Sequence, residues 1–188
     1  MPTERNDSIT IAARLVTWGL GGADEFHYSG GSATIHGGDT GEAYDTNVYG
    51  TKTGGDRLFI ESNAGTRIHL TSTEDGTVMR GNETLTFTGI ERLALGNGND
   101  IVRAGQATLD RYGLSVWTGG GNDQVNGTRA GDFIDPGEGN DRVWAGAGED
   151  FINGSRGNDT IFGGAGNDNI RWGQGLSLIH ISEPTRQE

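Results

Sequence analysis

Between residues 137 and 170 the chain reads GEGNDRVWAGAGEDFINGSRGNDTIFGGAGNDNI, with Asp at 141, 150, 159 and 168. Each Asp follows a glycine by two positions and precedes Val143, Ile152, Ile161 or Ile170 by two. Carboxylates and glycine turns repeated at one spacing can supply an all-oxygen shell for a hard cation. Aligned on the Asp, six contiguous nine-residue units run from 118 to 171: TGGGNDQVN, GTRAGDFID, PGEGNDRVW, AGAGEDFIN, GSRGNDTIF and GGAGNDNIR. Their sixth position is always Asp (Asp123, Asp132, Asp141, Asp150, Asp159, Asp168) and their eighth always Val or Ile. A further copy, LGNGNDIVR, stands at 95–103, and a looser one, GLGGADEFH, at 19–27. They offer Asp100 and Asp24 as additional ligands, although neither has an Asp partner 18 residues away.

Other chemistries find little support. The chain has no cysteine, so there is no disulfide framework and no thiolate metal site. Zinc and copper prefer Cys or His, and the six units contain neither. Magnesium demands a tight octahedron and keeps its waters, whereas calcium accepts six to eight oxygens in flexible geometry. There is no HExxH helix for a zinc protease and no GxSxG nucleophile elbow. GGAGND lacks the βαβ context of a dinucleotide fingerprint. His27 and His36, nine residues apart, read either as a metal pair or as outward-facing loop residues, and the second reading is preferred.

The elements that position the carboxylates follow from the nine positions. Glycine permits φ > 0, so the first six residues of a unit can turn sharply. The last three make a short strand whose eighth-position side chain faces inward. Two units form one coil of 18 residues, and stacked coils form two parallel sheets around a thin line of Val and Ile. That line is too thin to hold the glycine-rich coils unaided. Carboxylates 18 residues apart fall on one edge of adjacent coils, about one strand spacing (~4.8 Å) apart. Like charges that close repel, and a dication between them converts repulsion into a bridge. The alternative is a metal-free glycine-rich solenoid whose Asp residues cap turns. The same stacking sets Phe133 beside Phe151 and Trp144 beside Phe162, either to stabilise the sheets or to dock a neighbouring domain.

The GGxGxDx(aliphatic)x pattern of residues 118–171 resembles the RTX, or haemolysin-type, calcium-binding nonapeptide repeat. The segment FTGIERLALGNGND resembles the stretch that precedes such arrays. The resemblance implies an all-β fold, a parallel β-roll or β-helix, with Ca²⁺ held between adjacent coils by Asp and by carbonyls of the glycine turns. It also implies bacterial origin and secretion by type I machinery reading a C-terminal signal. Carried onto this sequence, one edge binds Ca²⁺ between Asp123 and Asp141 and between Asp141 and Asp159. The other edge uses Asp132 with Asp150 and Asp150 with Asp168. The supplementary carbonyls are those of Gly119, Gly121, Gly137, Gly139, Gly146, Gly148, Gly157, Gly164 and Gly166. Thr118, Pro136 and Ala145 depart from the pattern at the first position, and Thr128 and Ser155 at the second. Ala130 departs at the fourth, so the Asp132 turn fits least well. Each site needs two coils, so the outermost turns are expected to bind weakly.

Composition agrees with this reading. The 188 residues carry 35 glycines, three prolines, 32% hydrophobic residues and a formal net charge of −12. Glycine at this density without a three-residue period excludes collagen and marks a turn-rich repeat or a flexible chain. So acidic and apolar-poor a chain stays disordered unless a cation neutralises it. Lys52 is the sole lysine, and nucleic acid is excluded as a partner because phosphate binding needs clustered positive charge. No apolar run is long enough to span a membrane, and no signal-peptide hydrophobic region stands at the N-terminus. Four segments are expected: an unassigned stretch (1–17), an irregular β-rich region with degenerate repeats (18–117), the β-roll (118–175), and 176–188. Within residues 28–94, RLFIE (57–61), TRIHL (66–70) and TLTFTGI (84–90) read as short antiparallel or coiled strands. Leu176 to Arg186 resembles the translation of a transposase adapter used in preparing sequencing libraries, which implies read-through and a β-roll cut within a unit. The expected function is a calcium-binding repeat module of a secreted, extracellular protein that folds on Ca²⁺ outside the cell, with no catalytic motif of its own. The alternatives are the non-catalytic part of an RTX protease, lipase or polysaccharide-modifying enzyme, and a structural adhesin or surface-layer protein.

Overall fold

Apolar residues come singly or in alternating pairs between glycine-rich stretches, a pattern that yields short strands and tight turns. The structure, a computed structural model, describes residues 7–11, 16–19, 22–38, 55–105, 113–171, 173–175 and 178–180. Among them every regular element is a strand. Eight strands form one parallel sheet in the order Ser8–Ile11 (β1), Glu25–Tyr28 (β3), Arg57–Ile60 (β5), Arg92–Ala94 (β9), Ser115–Trp117 (β11), Phe133–Asp135 (β13), Phe151–Asn153 (β15) and Asn169–Arg171 (β17). Ten form the facing sheet in the order Leu178–His180 (β18), Thr160–Ala165 (β16), Arg142–Ala147 (β14), Gln124–Asn126 (β12), Ile101–Arg103 (β10), Arg67–Leu70 (β6), Gly76–Arg80 (β7), Glu83–Thr88 (β8), Ala33–His36 (β4) and Val16–Trp18 (β2). Apart from β6, β7 and β8, which follow one another in the ten-stranded sheet, successive strands alternate between the two sheets, so the chain is a solenoid.

The 18-residue coil appears directly in the pairing register. Val125 faces Val143 and Val143 faces Ile161, while on the other sheet Ile134 faces Ile152 and Ile152 faces Ile170. The first five of these side chains that lie within the stack, from Val125 to Ile161, are wholly buried. A three-residue strand turns only one side chain inward, so the core here is a single line. Upstream the strands are longer and bury two each: Leu58 and Ile60, Ile68 and Leu70, Leu85 and Phe87. The solenoid is therefore thicker at that end.

The expected strands at 57–61, 66–70 and 84–90 are β5, β6 and β8. Only β6, β7 and β8 pair antiparallel; β3, β5 and β9 stack in parallel exactly as the repeat strands do, so coiled rather than hairpin pairing prevails. Both sheets run across residue 118 without a break. The period is lost upstream because the turns vary in length while the stacking does not. β18 continues the stack, with Leu178 facing Thr160. Lys52, Trp172 and the rest of 176–188 lie outside the described residues.

Candidate metal centre

Each Asp of the repeat ends a turn and immediately precedes a strand, so its backbone amide points along the stack toward the equivalent residue of the next coil. On the ten-stranded side the amide of Asp100 donates to Asp123 Oδ1 at 2.8 Å, Asp123 to Asp141 Oδ1 at 2.8 Å and Asp141 to Asp159 Oδ1 at 3.0 Å. On the eight-stranded side Asp132 donates to Asp150 Oδ1 at 2.8 Å and Asp150 to Asp168 Oδ1 at 3.1 Å. The two predicted edges are thus two separate ladders of carboxylates, paired as the 18-residue spacing requires.

At four of these carboxylates the ladder consumes one oxygen and leaves the other over. Oδ2 of Asp123, Asp141, Asp150 and Asp168 is buried with no hydrogen-bond partner. A buried acceptor without a donor is costly, and a buried charge without a counter-ion costs more. Burial, joined by the neighbouring column carboxylates, pushes Asp141 and Asp150 up to about 7. Burial pushes Asp100 up to about 7 and raises Asp123 as well. A dication beside these oxygens would offset the cost of burying them, and the oxygen set suits Ca²⁺. Among the described residues no three acidic or imidazole side chains converge on one point. Backbone carbonyls must therefore complete any shell.

The glycine turns are the expected source. All nine glycines named from the sequence have positive φ, between 83° and 141°. They occupy the second and fourth positions, where the backbone of one coil presses on the next. At Gly139 a Cβ would lie 1.6 Å from the Gly121 carbonyl oxygen, so only glycine permits that approach. Ser155, a departure at the second position, still adopts φ 46° and is the sole non-glycine with positive φ among the described residues. Its Oγ donates to Asp135 Oδ1 at 2.8 Å, which holds it there.

The Asp132 turn differs, as the substitutions at Thr128 and Ala130 foreshadow. Neither residue has positive φ. Instead the Thr128 amide donates to Asp132 Oδ2 at 2.6 Å, and Thr128 Oγ1 and the Leu114 amide donate to Oδ1, each at 2.7 Å. Both oxygens of Asp132 already have donors, so this turn is closed by its own side chains.

Two features escape a reading by nine-residue period. Asparagine occupies the fifth position on the ten-stranded edge, where Asn122, Asn140 and Asn158 donate backbone amides to Oδ1 of Asn99, Asn122 and Asn140 at 2.7–2.9 Å. Comparing alternate units rather than adjacent ones would have exposed that column. The acidic ladder also continues far upstream: Asp7 donates its amide to Asp24 Oδ1, Asp24 to Asp56 Oδ1 and Asp56 to Glu91 Oε2, at 2.6–2.7 Å. The partners are 17, 32 and 35 residues apart, which hides the column from any fixed-period search. Asp24 Oδ2 is buried without a partner, like those of the repeat, and burial pushes its carboxyl up to about 6. Asp100 finds its neighbour in Asp123, 23 residues on.

His27 and His36 lie on different sheets and do not converge. His27 stacks on Phe59 and bonds Glu61; His36 stacks on Trp18 and bonds Thr88 Oγ1.

A four-copy family model of the RTX calcium-binding nonapeptide repeat matches residues 85–107, 115–134 and 135–170. The chain carries RTX calcium-binding repeats. The match begins within β8 and takes in every Asp of both repeat ladders, so the orphaned oxygens of this RTX array are calcium-ligand candidates by family as well as by geometry. The upstream ladder through Asp24 lies outside it. No curated protein and no solved structure matches the chain.

Proposed function

We propose that this RTX array is a calcium-triggered folding module of a secreted bacterial protein, exported unfolded by type I machinery and ordered on meeting extracellular Ca²⁺. The observation that carries the reading is the series of buried, unpartnered Oδ2 atoms on successive coils. Without a cation these oxygens oppose stacking; with one they bridge it. Asp123, Asp141 and Asp159 serve one edge and Asp150 and Asp168 the other, with carbonyls of the positive-φ glycines beside them. Because each site spans two coils, it does not exist in the unfolded chain, and binding and folding are one event. Extracellular calcium modules work at ~10⁻⁴–10⁻³ M, far above the cytosolic level, which keeps the chain unfolded until it is outside. The residues described take a binding role and not a catalytic one.

Titration with Ca²⁺ followed by far-UV circular dichroism tests the reading. The expected result is a cooperative gain of β signal in the extracellular concentration range. A fully folded spectrum in excess chelator near pH 8 would overturn it.

A further inference from the structure

The two outer faces of the solenoid differ in how far their arginines are engaged. On the eight-stranded sheet the outward cations are already engaged. Arg57 lies over the rings of Phe59 and Trp117 at 4.5 and 4.9 Å, Arg171 lies over Phe151 at 4.8 Å, and the face also carries Glu25 and Asp135. On the ten-stranded sheet, β6, β10, β12, β14 and β16 contain no Asp or Glu at all. Among the described strands only Glu25, Glu83 and Asp135 are acidic, so the net charge of −12 is carried by the segments between strands, and Glu83 is paired with Arg80. Arg67, Arg103 and Arg142 stand exposed on these strands, with Arg129 at the adjoining turn. None of these four guanidinium groups meets a carboxylate or hydrogen-bond acceptor among the described residues.

The pairing register arranges the face into two rows. Arg67, Ile101, Gln124 and Arg142 form one; His69, Arg103, Asn126 and Trp144 form the other. Each row crosses four strands, about 14 Å at the usual strand spacing. Two depressions of about 570 and 240 Å³ lie along it and meet at Ile101 and Arg103. Trp144 is 40% exposed, and its ring lies parallel to that of Phe162 within 2°, so an open flat aromatic surface borders the cations.

We infer that this face binds an anionic polysaccharide. Its parts match the chemistry of an acidic sugar chain one by one. The arginines pair bidentately with carboxylate or sulfate groups. Gln124 and Asn126 between them offer amide donors and acceptors to hydroxyls. The Trp144 ring offers an apolar face to a pyranose ring. An open strip without a deep pocket suits a linear polymer better than a small ligand. Duplex nucleic acid is disfavoured because it is wider than a single sugar chain and would bring its phosphates over the acidic turns that flank the strip on both sides. The face belongs to the folded solenoid whether or not folding awaits calcium, so its failure and that of the calcium reading are separable.

The test uses the full chain with saturating Ca²⁺ and affinity electrophoresis against polygalacturonate, dextran sulfate, neutral dextran, duplex DNA and phosphatidylserine vesicles. The expected result is retention by polygalacturonate, dextran sulfate or both, none by neutral dextran, and weakening as salt rises. The first two arms distinguish carboxylate from sulfate recognition. The triple variant Arg67→Gln, Arg103→Gln, Arg142→Gln should weaken retention roughly tenfold or more, the loss expected for three exposed ion pairs. Trp144→Ser should weaken it and leave the salt dependence in place. The calcium-dependent circular dichroism of each variant should match the parent; if the triple variant fails there, the single exposed substitutions Arg103→Gln and Arg142→Gln give the same reading. Unaltered retention by the arginine variants, absence of retention by the parent, or stronger retention by DNA or vesicles than by either polysaccharide would overturn the proposal.

Discussion

Asp123 donates its amide to Oδ1 of Asp141 at 2.8 Å, and the companion Oδ2 of Asp141 is buried with no donor. One carboxylate thereby does two things: it ties two coils together and presents a free anionic oxygen to whatever lies in the turn. The same division of labour recurs at Asp123, Asp150 and Asp168, and under the proposed function it makes calcium binding and coil stacking inseparable.

Asp141→Asn should raise the Ca²⁺ midpoint for folding and lower the number of bound ions, because the amide keeps an acceptor for the Asp123 N–H and loses the charge. Asp132→Asn should leave the number of ions unchanged and lower stability by about 1–3 kcal/mol, since both oxygens of Asp132 already serve Thr128 and Leu114. Calorimetric titration with Ca²⁺ gives the ion count, and circular dichroism the midpoint. Equal behaviour of the two variants would contradict the assignment.

Gly139→Ala should abolish calcium-dependent folding of the repeat, because the new methyl would lie 1.6 Å from a backbone oxygen of the neighbouring coil that has nowhere to move. Gly81→Ala is the contrast. Its φ of 59° is left-handed, yet nothing lies within 4 Å of the added atom. That substitution should cost about 1–2 kcal/mol of local strain and no calcium affinity. Thermal unfolding in saturating Ca²⁺ separates the two.

Acidity should act in opposite senses with and without metal. Burial lifts Asp100, Asp141 and Asp150 to about 7 and Asp24 and Asp132 to about 6, above the ordinary 3.8. A raised folded-state pKa means the fold binds protons more tightly than the unfolded chain. That contribution is fully present below about pH 4 and is lost as pH rises through 6 to 7. In chelator the chain should therefore gain β structure near pH 5 and lose it near pH 8. With Ca²⁺, protons compete for the same oxygens, so the calcium midpoint should climb as pH falls below 7. Circular dichroism over this pH range, with and without chelator, reads both arms.

Calcium removal should unravel the molecule unevenly. β6, β7 and β8 bury Ile68, Leu70, Val78, Leu85 and Phe87, whereas each coil of the repeat buries one Val or Ile per strand. Hydrogen exchange in chelator should show protection surviving longest in β6–β8 and lost first in β14–β17. Uniform loss across both regions would contradict the expectation.

The identity of the fold was legible wherever turn length was constant. From residue 118 onward the columns of Asp, positive-φ glycine and Val or Ile specify coil, ladder and inward face, and Phe133 on Phe151 and Trp144 on Phe162 follow from the same 18-residue step. Upstream, steps of 17, 32 and 35 residues concealed an equally regular stack. The asparagine ladder was hidden for another reason: it belongs to one edge, so its step is 18 rather than nine.

The sequence by itself determined the repeat, the oxygen-only ligand set and the need for a counter-ion, because these depend on residue type and spacing along the chain. Only the tertiary structure decided which carboxylate oxygens are spoken for and which are free, that Asp132 is satisfied by Thr128, and that Asp24 joins the column. Those facts depend on which amide lies opposite each carboxylate across two coils, and that opposition is set by stacking distance, not by sequence separation.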